Sequence, residues 1–135
     1  MDARIRDSFG RQSLMQTFGA EITGIGAGTV TIEAPILPGS CQQHGAGHAG
    51  LTFALADSAA GYAALTLMPE GCEVMTVEAK INLLAPAIGE KLIARGEVAK
   101  AGRRLTVCRA EVHALRAGKE VCVALLQATM IPVEP

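Results

Sequence analysis

His48-Ala49-Gly50-Leu51-Thr52-Phe53-Ala54-Leu55-Ala56-Asp57-Ser58-Ala59-Ala60-Gly61-Tyr62-Ala63-Ala64-Leu65-Thr66-Leu67-Met68 is the stretch around which the rest of the chain is organised. Between Ala49 and Met68, Asp57 is the one charged side chain. Leu51, Leu55, Tyr62 and Leu65 fall on one stripe at helical spacing, while Ala54, Ala56, Ala59, Ala60, Ala63 and Ala64 cover the other faces. The pattern predicts a helix over 50–67 that is apolar all round and therefore buried. Pro69 and Gly71 end it. The stretch is long enough to span a bilayer, but a charge at mid-helix would cost roughly 3 kcal/mol on insertion scales. Strand-like sequence also follows it, so burial in protein is expected and membrane insertion is not. The small side chains allow such a helix to lie flat against a sheet with little bulk between.

Working outward, four strands are expected after the helix. Residues 74–84 alternate, with Met75, Val77, Ala79, Ile81 and Leu83 expected on one face and Thr76, Glu78, Lys80 and Asn82 on the other. Residues 90–100 pair with 104–115 through Ala101-Gly102-Arg103, a hairpin signal, and 119–131 follow Gly118. Before the helix, residues 3–18 read as one helix despite Gly10, and 20–27 and 28–36 as two strands. Consecutive strands with short turns make an antiparallel sheet rather than a doubly wound one. The expectation is an α+β domain over 1–135, with five to six antiparallel strands wrapped around one long central helix and a short N-terminal helix.

The bulk properties narrow the function. Half of the 135 residues are apolar, and only Phe9, Phe18, Phe53 and Tyr62 are aromatic, so aliphatic side chains and alanine must build the core. The formal net charge is −1 and no basic stripe is present, which argues against a nucleic-acid partner. No apolar leader opens the chain, and Cys41, Cys72, Cys108 and Cys122 show no paired spacing. Free thiols in a reducing cytoplasm are the expectation.

The chemistry concentrates in 42–58. Gly45-x-Gly47-x-x-Gly50 has the letters of a dinucleotide loop, but that motif needs a strand running into it within a parallel unit, and neither is expected here. Cys41, His44 and His48 have ligand chemistry without a fourth partner at motif spacing, so no metal site is expected. The third possibility uses the helix start. The first amides of the helix have no intrahelical partner, and with the positive end of the dipole they can stabilise a developing oxyanion. Nearly two turns on, Asp57 can activate water or attack a carbonyl. Asp57 could equally be the one solvent-facing position on a packed helix, and His48 a simple cap.

Together these residues resemble the hotdog-fold acyl-CoA thioesterases, in particular the phenylacetyl-CoA thioesterase subgroup. That subgroup's His-Gly-Gly and Leu-Ala-Asp motifs stand here as His48-Ala49-Gly50 and Leu55-Ala56-Asp57. Arg11-Gln12-x-Leu14-Met15, the run from Thr76 to Ala87, and Gly102-Arg103-Arg104-x-Thr106-Val107 extend the likeness over nearly the whole chain. The resemblance implies Asp57 as general base or nucleophile, the Ala49 amide as oxyanion donor, His48 as anchor of that turn and Gln42 as a contact to the thioester carbonyl. Gly50, Leu51, Lys80, Asn82, Arg103 and Arg104 are the expected substrate contacts, the cations toward CoA phosphates. It further implies dimers, or tetramers as pairs of dimers, with the site shared between subunits and residues 74–84 as the pairing edge. No cofactor is expected, since CoA belongs to the substrate. Ala49 replaces the family's first motif glycine, and its methyl obstructs only if the backbone there needs a positive φ.

Three functions are weighed on this basis: acyl-CoA hydrolysis, a non-catalytic acyl-CoA-binding module of the same fold, and a hydratase or dehydratase, whose usual catalytic pair does not fit this motif. The acyl pocket is expected to be aliphatic, from side chains such as Leu51, Leu65 and Met68.

Overall fold

The apolar stretch forms one helix, α3 (Ala49–Leu65), and the remaining elements are arranged around it in a computed structural model that describes residues 1–135. Two short helices, α1 (Asp2–Gly10) and α2 (Ser13–Thr17), precede β1 (Glu21–Gly26) and β2 (Thr29–Pro35). A single 3₁₀ turn at Pro38–Ser40 leads toward α3, and β3 (Glu73–Leu83), β4 (Lys91–Ala101), β5 (Thr106–Arg116) and β6 (Lys119–Val133) follow. The six strands form one sheet in the order β1-β2-β4-β5-β6-β3, and every pairing is antiparallel. α3 lies across the inner face of this sheet, against β2, β3, β4, β5 and β6. No helix is long and apolar enough to cross a membrane.

Small residues set how closely helix and sheet approach. Ala56, Ala59, Ala60, Ala63 and Ala64 have no solvent exposure. On β4, a Cβ placed on Gly96 would lie 2.3 Å from the Ala59 carbonyl oxygen, so helix backbone sits directly on strand backbone there. The core cluster around α3 joins Ile32, Leu51, Leu55, Leu65, Leu92, Val112 and Met130. Alternation along β5 supplies it, with Cys108, Ala110, Val112 and Ala114 facing in. Burial pushes the Cys108 thiol up to about 11, and all four cysteines are free.

The N-terminal residues close the far end of α3. Where α3 stops, the Arg4 guanidinium donates to the carbonyls of Leu65 (2.6 Å), Met68 (3.2 Å) and Pro69 (2.8 Å), the first of which also takes the Met68 N–H at 3.1 Å. The Tyr62 hydroxyl takes a bond from Gln12 Nε2 (2.9 Å) and meets Ser8 Oγ at 3.1 Å. The single helix expected over 3–18 is thus two, broken at Arg11-Gln12 just after the weak Gly10 position, which lets α1 and α2 pack separately.

Strand β3 departs from its expected phase. Its pairing with β6 shifts between Thr76 and Glu78, so Val77 is the extra residue of a bulge. Ala79 and Ile81 pack on the core as expected, but Val74 and Thr76 share that inner face, while Met75 is 57% exposed. The bulge therefore places Met75 outside and Thr76 inside, the reverse of a straight alternation.

Candidate active site

His48 builds the start of α3. Its backbone is extended (φ −62°, ψ 145°), and the Gly50 N–H donates to its Nδ1 at 2.7 Å. An imidazole that accepts at Nδ1 carries its proton on Nε2. A Cβ on Gly50 would sit 3.0 Å from that Nδ1, so the bare glycine makes room for the cap. The Leu51 and Thr52 amides donate to the His48 carbonyl at 3.0 and 3.3 Å. Of the first amides of α3, the one left without a partner is Ala49 N–H, on an exposed residue at the positive end of the helix. Ala117 is the one non-glycine residue with positive φ, so the alanine at 49 carries no backbone strain.

Two loops wall this amide. Gly47 N–H donates to the Ala87 carbonyl at 2.8 Å, and His48 N–H to the Ser40 carbonyl at 2.9 Å. Arg116 holds the second loop through the carbonyls of Pro86 (2.6 Å) and Ile88 (2.5 Å). Between them lies a pocket of about 450 Å³ lined by Gln42, Ala49, Thr52, Leu83, Leu84 and Val123 among others. The side-chain oxygen of Gln42 accepts from the His44 (2.5 Å) and Ala46 (3.3 Å) amides, which leaves the NH₂ group of this pocket-lining residue as its uncommitted donor.

Asp57 sits farther along α3, half-buried, where Thr76 Oγ1–H donates to its Oδ1 at 2.8 Å. Thr76 is the partner that sequence reasoning missed, because a period-two pattern assigns it to the opposite face. Asp57 lies eight residues after Ala49, about 12 Å along the axis at about 1.5 Å per residue. Within one chain, then, the free amide and the carboxylate cannot meet on one carbonyl group. Both flank an uncovered apolar edge: β3 ends the sheet, with Val77 50%, Leu83 54%, Leu84 53% and nearby Phe53 38% exposed.

The other expected residues are more scattered. Leu51, Leu65 and Met68 are buried in the core, and the apolar wall of the pocket comes instead from Leu83, Leu84, Pro86 and Val123. Lys80 and Asn82 lie on the outer face of the sheet. Arg103 and Arg104 are exposed in the β4–β5 turn, toward the end where α3 stops; there Gly28 N–H bonds Thr66 Oγ1, and Gly28 also packs on Val98. Cys41, His44 and His48 do not gather: the Cys41 thiol bonds the Leu37 carbonyl at 3.2 Å while His48 caps α3. The glycine-rich loop joins no parallel strand, which removes the structural basis of a dinucleotide site.

Comparison with known proteins adds to this geometry. Residues 44–121 match the family model of the thioesterase superfamily, more than half of the chain. A thioesterase family protein from Silicibacter pomeroyi is 45% identical, with a TM-score of 0.94 over 97% of this chain and 96% of its own. A thioesterase from Haemophilus influenzae is 21% identical, with a TM-score of 0.84 over 94% of this chain and 87% of its own. The PaaI protein from the phenylacetic acid degradation operon of E. coli is 20% identical, with a TM-score of 0.83 over 95% of this chain and 89% of its own. At such identities the last two share the fold alone. The fold is the hotdog of thioesterases, a six-stranded antiparallel sheet around one central helix.

Proposed function

This chain belongs to the thioesterase superfamily, and from that premise we propose that it hydrolyses an acyl-CoA thioester to the free acid and CoA at a site shared by two copies of the chain. The observation that carries the reading is the unpaired Ala49 N–H at the start of α3, open to an apolar-walled pocket. In the proposed reaction this amide donates to the thioester carbonyl and then to the oxyanion that forms as water adds. The helix dipole strengthens the donation.

Asp57 of the second copy takes the proton of the attacking water. The C–O bond forms, the C–S bond breaks, and the proton passes to the departing thiolate. With Oδ1 held by Thr76, Oδ2 is the oxygen available to that water. Direct attack by the same carboxylate is the alternative role. The Gln42 NH₂ group is the proposed second contact to the carbonyl. Lys80, Asn82, Arg103 and Arg104 are the candidates for the CoA moiety.

Two features support the shared site. The roughly 12 Å between Ala49 and Asp57 along one helix calls for a second helix start facing the carboxylate. The exposed apolar edge at β3 offers the surface for a dimer, which can pair again into a tetramer. The chemistry draws on no cofactor. Four free thiols suit a reducing compartment, and the reading places the enzyme in the cytoplasm.

The test is a panel of aliphatic and aromatic acyl-CoA thioesters with a free-thiol readout, run on the parent and on Asp57→Asn. Turnover in the parent, lost by about 10²- to 10⁴-fold in the variant with assembly intact, is the expected result. Binding without turnover of any member of the panel would make the chain an acyl-CoA-binding module instead.

A further inference from the structure

On the sheet face turned away from α3, in the groove that Lys80 and Asn82 share with Glu111 and His113, one cluster takes no part in the proposed hydrolysis step. Val112 and Ala114 point into the core with no exposure, so their neighbours Glu111 and His113 point outward. Cys122 joins them because of a second bulge. The β5–β6 register runs Glu111↔Leu125, Val112↔Ala124 and then His113↔Cys122, which makes Val123 the extra residue. Unbulged pairing would set Val123 opposite His113 and turn Cys122 to the inner face. The bulge instead puts the thiol beside the imidazole, and one ligand atom from each of Glu111, His113 and Cys122 lies within 4.8 Å of the others. This is the one such group of His, Cys, Asp or Glu side chains in the chain.

The hydrogen bonding of His113 is in conflict with itself. Its Nε2 lies 3.0 Å from Glu111 Oε1, and its Nδ1 lies 3.6 Å from Glu120 Oε1. Nδ1 is buried and has no hydrogen-bond partner. A neutral imidazole has a single N–H. On Nε2 it serves Glu111 and leaves the Nδ1 lone pair facing a carboxylate. On Nδ1 it serves Glu120 and sets the Nε2 lone pair against Glu111. A cation held jointly by Nε2 and Glu111 removes the conflict and leaves the proton on Nδ1, toward Glu120.

Glu120 is built for that part. Arg95 grips both of its oxygens at 2.8 and 3.0 Å, and this pairing fixes the carboxylate in place beside the ring. A carboxylate behind the distal nitrogen of a ligating histidine fixes the tautomer and the ring orientation. The Cys122 thiol, 4.0 Å from Glu111 Oε1, adds a soft third donor.

We propose that Glu111, His113 and Cys122 bind a divalent transition-metal ion of borderline softness, Zn²⁺ foremost, with Glu120 orienting the histidine and water completing the coordination. One oxygen, one imidazole nitrogen and one thiolate make a donor set that suits zinc and not magnesium or calcium. Binding releases the Cys122 thiol proton to solvent, and the carboxylate and thiolate then balance the two charges of the ion. The site lies across the sheet from the α3 start and does not depend on the thioesterase reading.

The experiment is a Co²⁺ titration of the reduced full-length protein, read by absorption. Thiolate ligation gives a sulfur-to-cobalt charge-transfer band that saturates at one equivalent and is bleached by one equivalent of Zn²⁺. Cys122→Ser abolishes the band, and Cys72→Ser, which alters another half-buried thiol, retains it. Glu120→Gln keeps the band but weakens binding by about tenfold or more. His113→Gln is expected to lose the band as well, and each variant is scored on samples whose metal-free melting matches the parent, which guards against loss of signal through misfolding. No band at equimolar cobalt would overturn the proposal. A band surviving Cys122→Ser would overturn it equally.

Discussion

Proline is the residue that can delete the Ala49 N–H while leaving the helix intact. The first helical position tolerates it, and His48 before it already has the extended backbone that a following proline requires. Ala49→Pro is therefore expected to lower kcat by about 10²- to 10³-fold, the usual cost of one oxyanion donor, with thermal stability unchanged. Equal loss of kcat and stability would show that the amide matters to folding alone. Thr76 is argued to act through Asp57. Thr76→Val is expected to reduce kcat by about tenfold, as for a charge-assisted hydrogen bond of roughly 1.5 kcal/mol, with KM little changed, and Thr76→Ser is expected to restore it. A rise in KM without a fall in kcat would contradict the positioning role. At this scale the free amide at the start of α3 and the isolated carboxylate were legible because both are local features: a helix start needs no tertiary contact to have free amides, and a carboxylate among alanines stands out in any reading. Thr76 was not legible, since its direction depends on a one-residue bulge that no alternation pattern reveals.

Among the elements, α3 and the six strands follow from periodicity and turn residues, with ends shifted by one or two positions. The distances between them depend on particular contacts. The closest is Gly96 on β4 against Ala59 on α3, where an added methyl would fall 2.3 Å from a carbonyl oxygen. Gly96→Ala is expected to cost about 1–3 kcal/mol through overpacking and to lower the melting temperature by several degrees in a thermal unfolding scan. No change would mean that helix and strand are farther apart than described. The split between α1 and α2 and the bulges in β3 and β6 escaped the sequence reading for a shared reason. Each is set by what the segment packs against, Tyr62 for the N-terminal helices and the neighbouring strand for the bulges. Neither propensity nor period registers such contacts.

For the molecule as a whole, stability and assembly make separate predictions. Cys108 is fully buried, and its pKa is raised from an ordinary 9.0 to about 11. A raised acid holds its proton longer in the folded state, so between those values the unfolded chain binds fewer protons. Stability is full below about pH 9 and falls as pH rises toward about 11, by about 1.4 kcal/mol per pH unit. Denaturant unfolding at a series of alkaline pH values checks this, and Cys108→Ala should flatten the decline. The proposed assembly rests, in the sequence, on family likeness alone. A geometric argument supports the proposal: an amide and a carboxylate on one helix are too far apart to act on one carbonyl group, and an apolar edge lies open beside both. The most direct measurement is complementation between two inactive variants. Ala49→Pro and Asp57→Asn, each assayed alone, should be nearly inactive. Co-expressed in equal amounts, they should form mixed dimers in which one of the two sites holds both the intact amide and the intact carboxylate, returning about a quarter of parental thioesterase activity. A co-expressed preparation that forms mixed dimers yet stays as inactive as either variant alone would contradict a site shared between two chains.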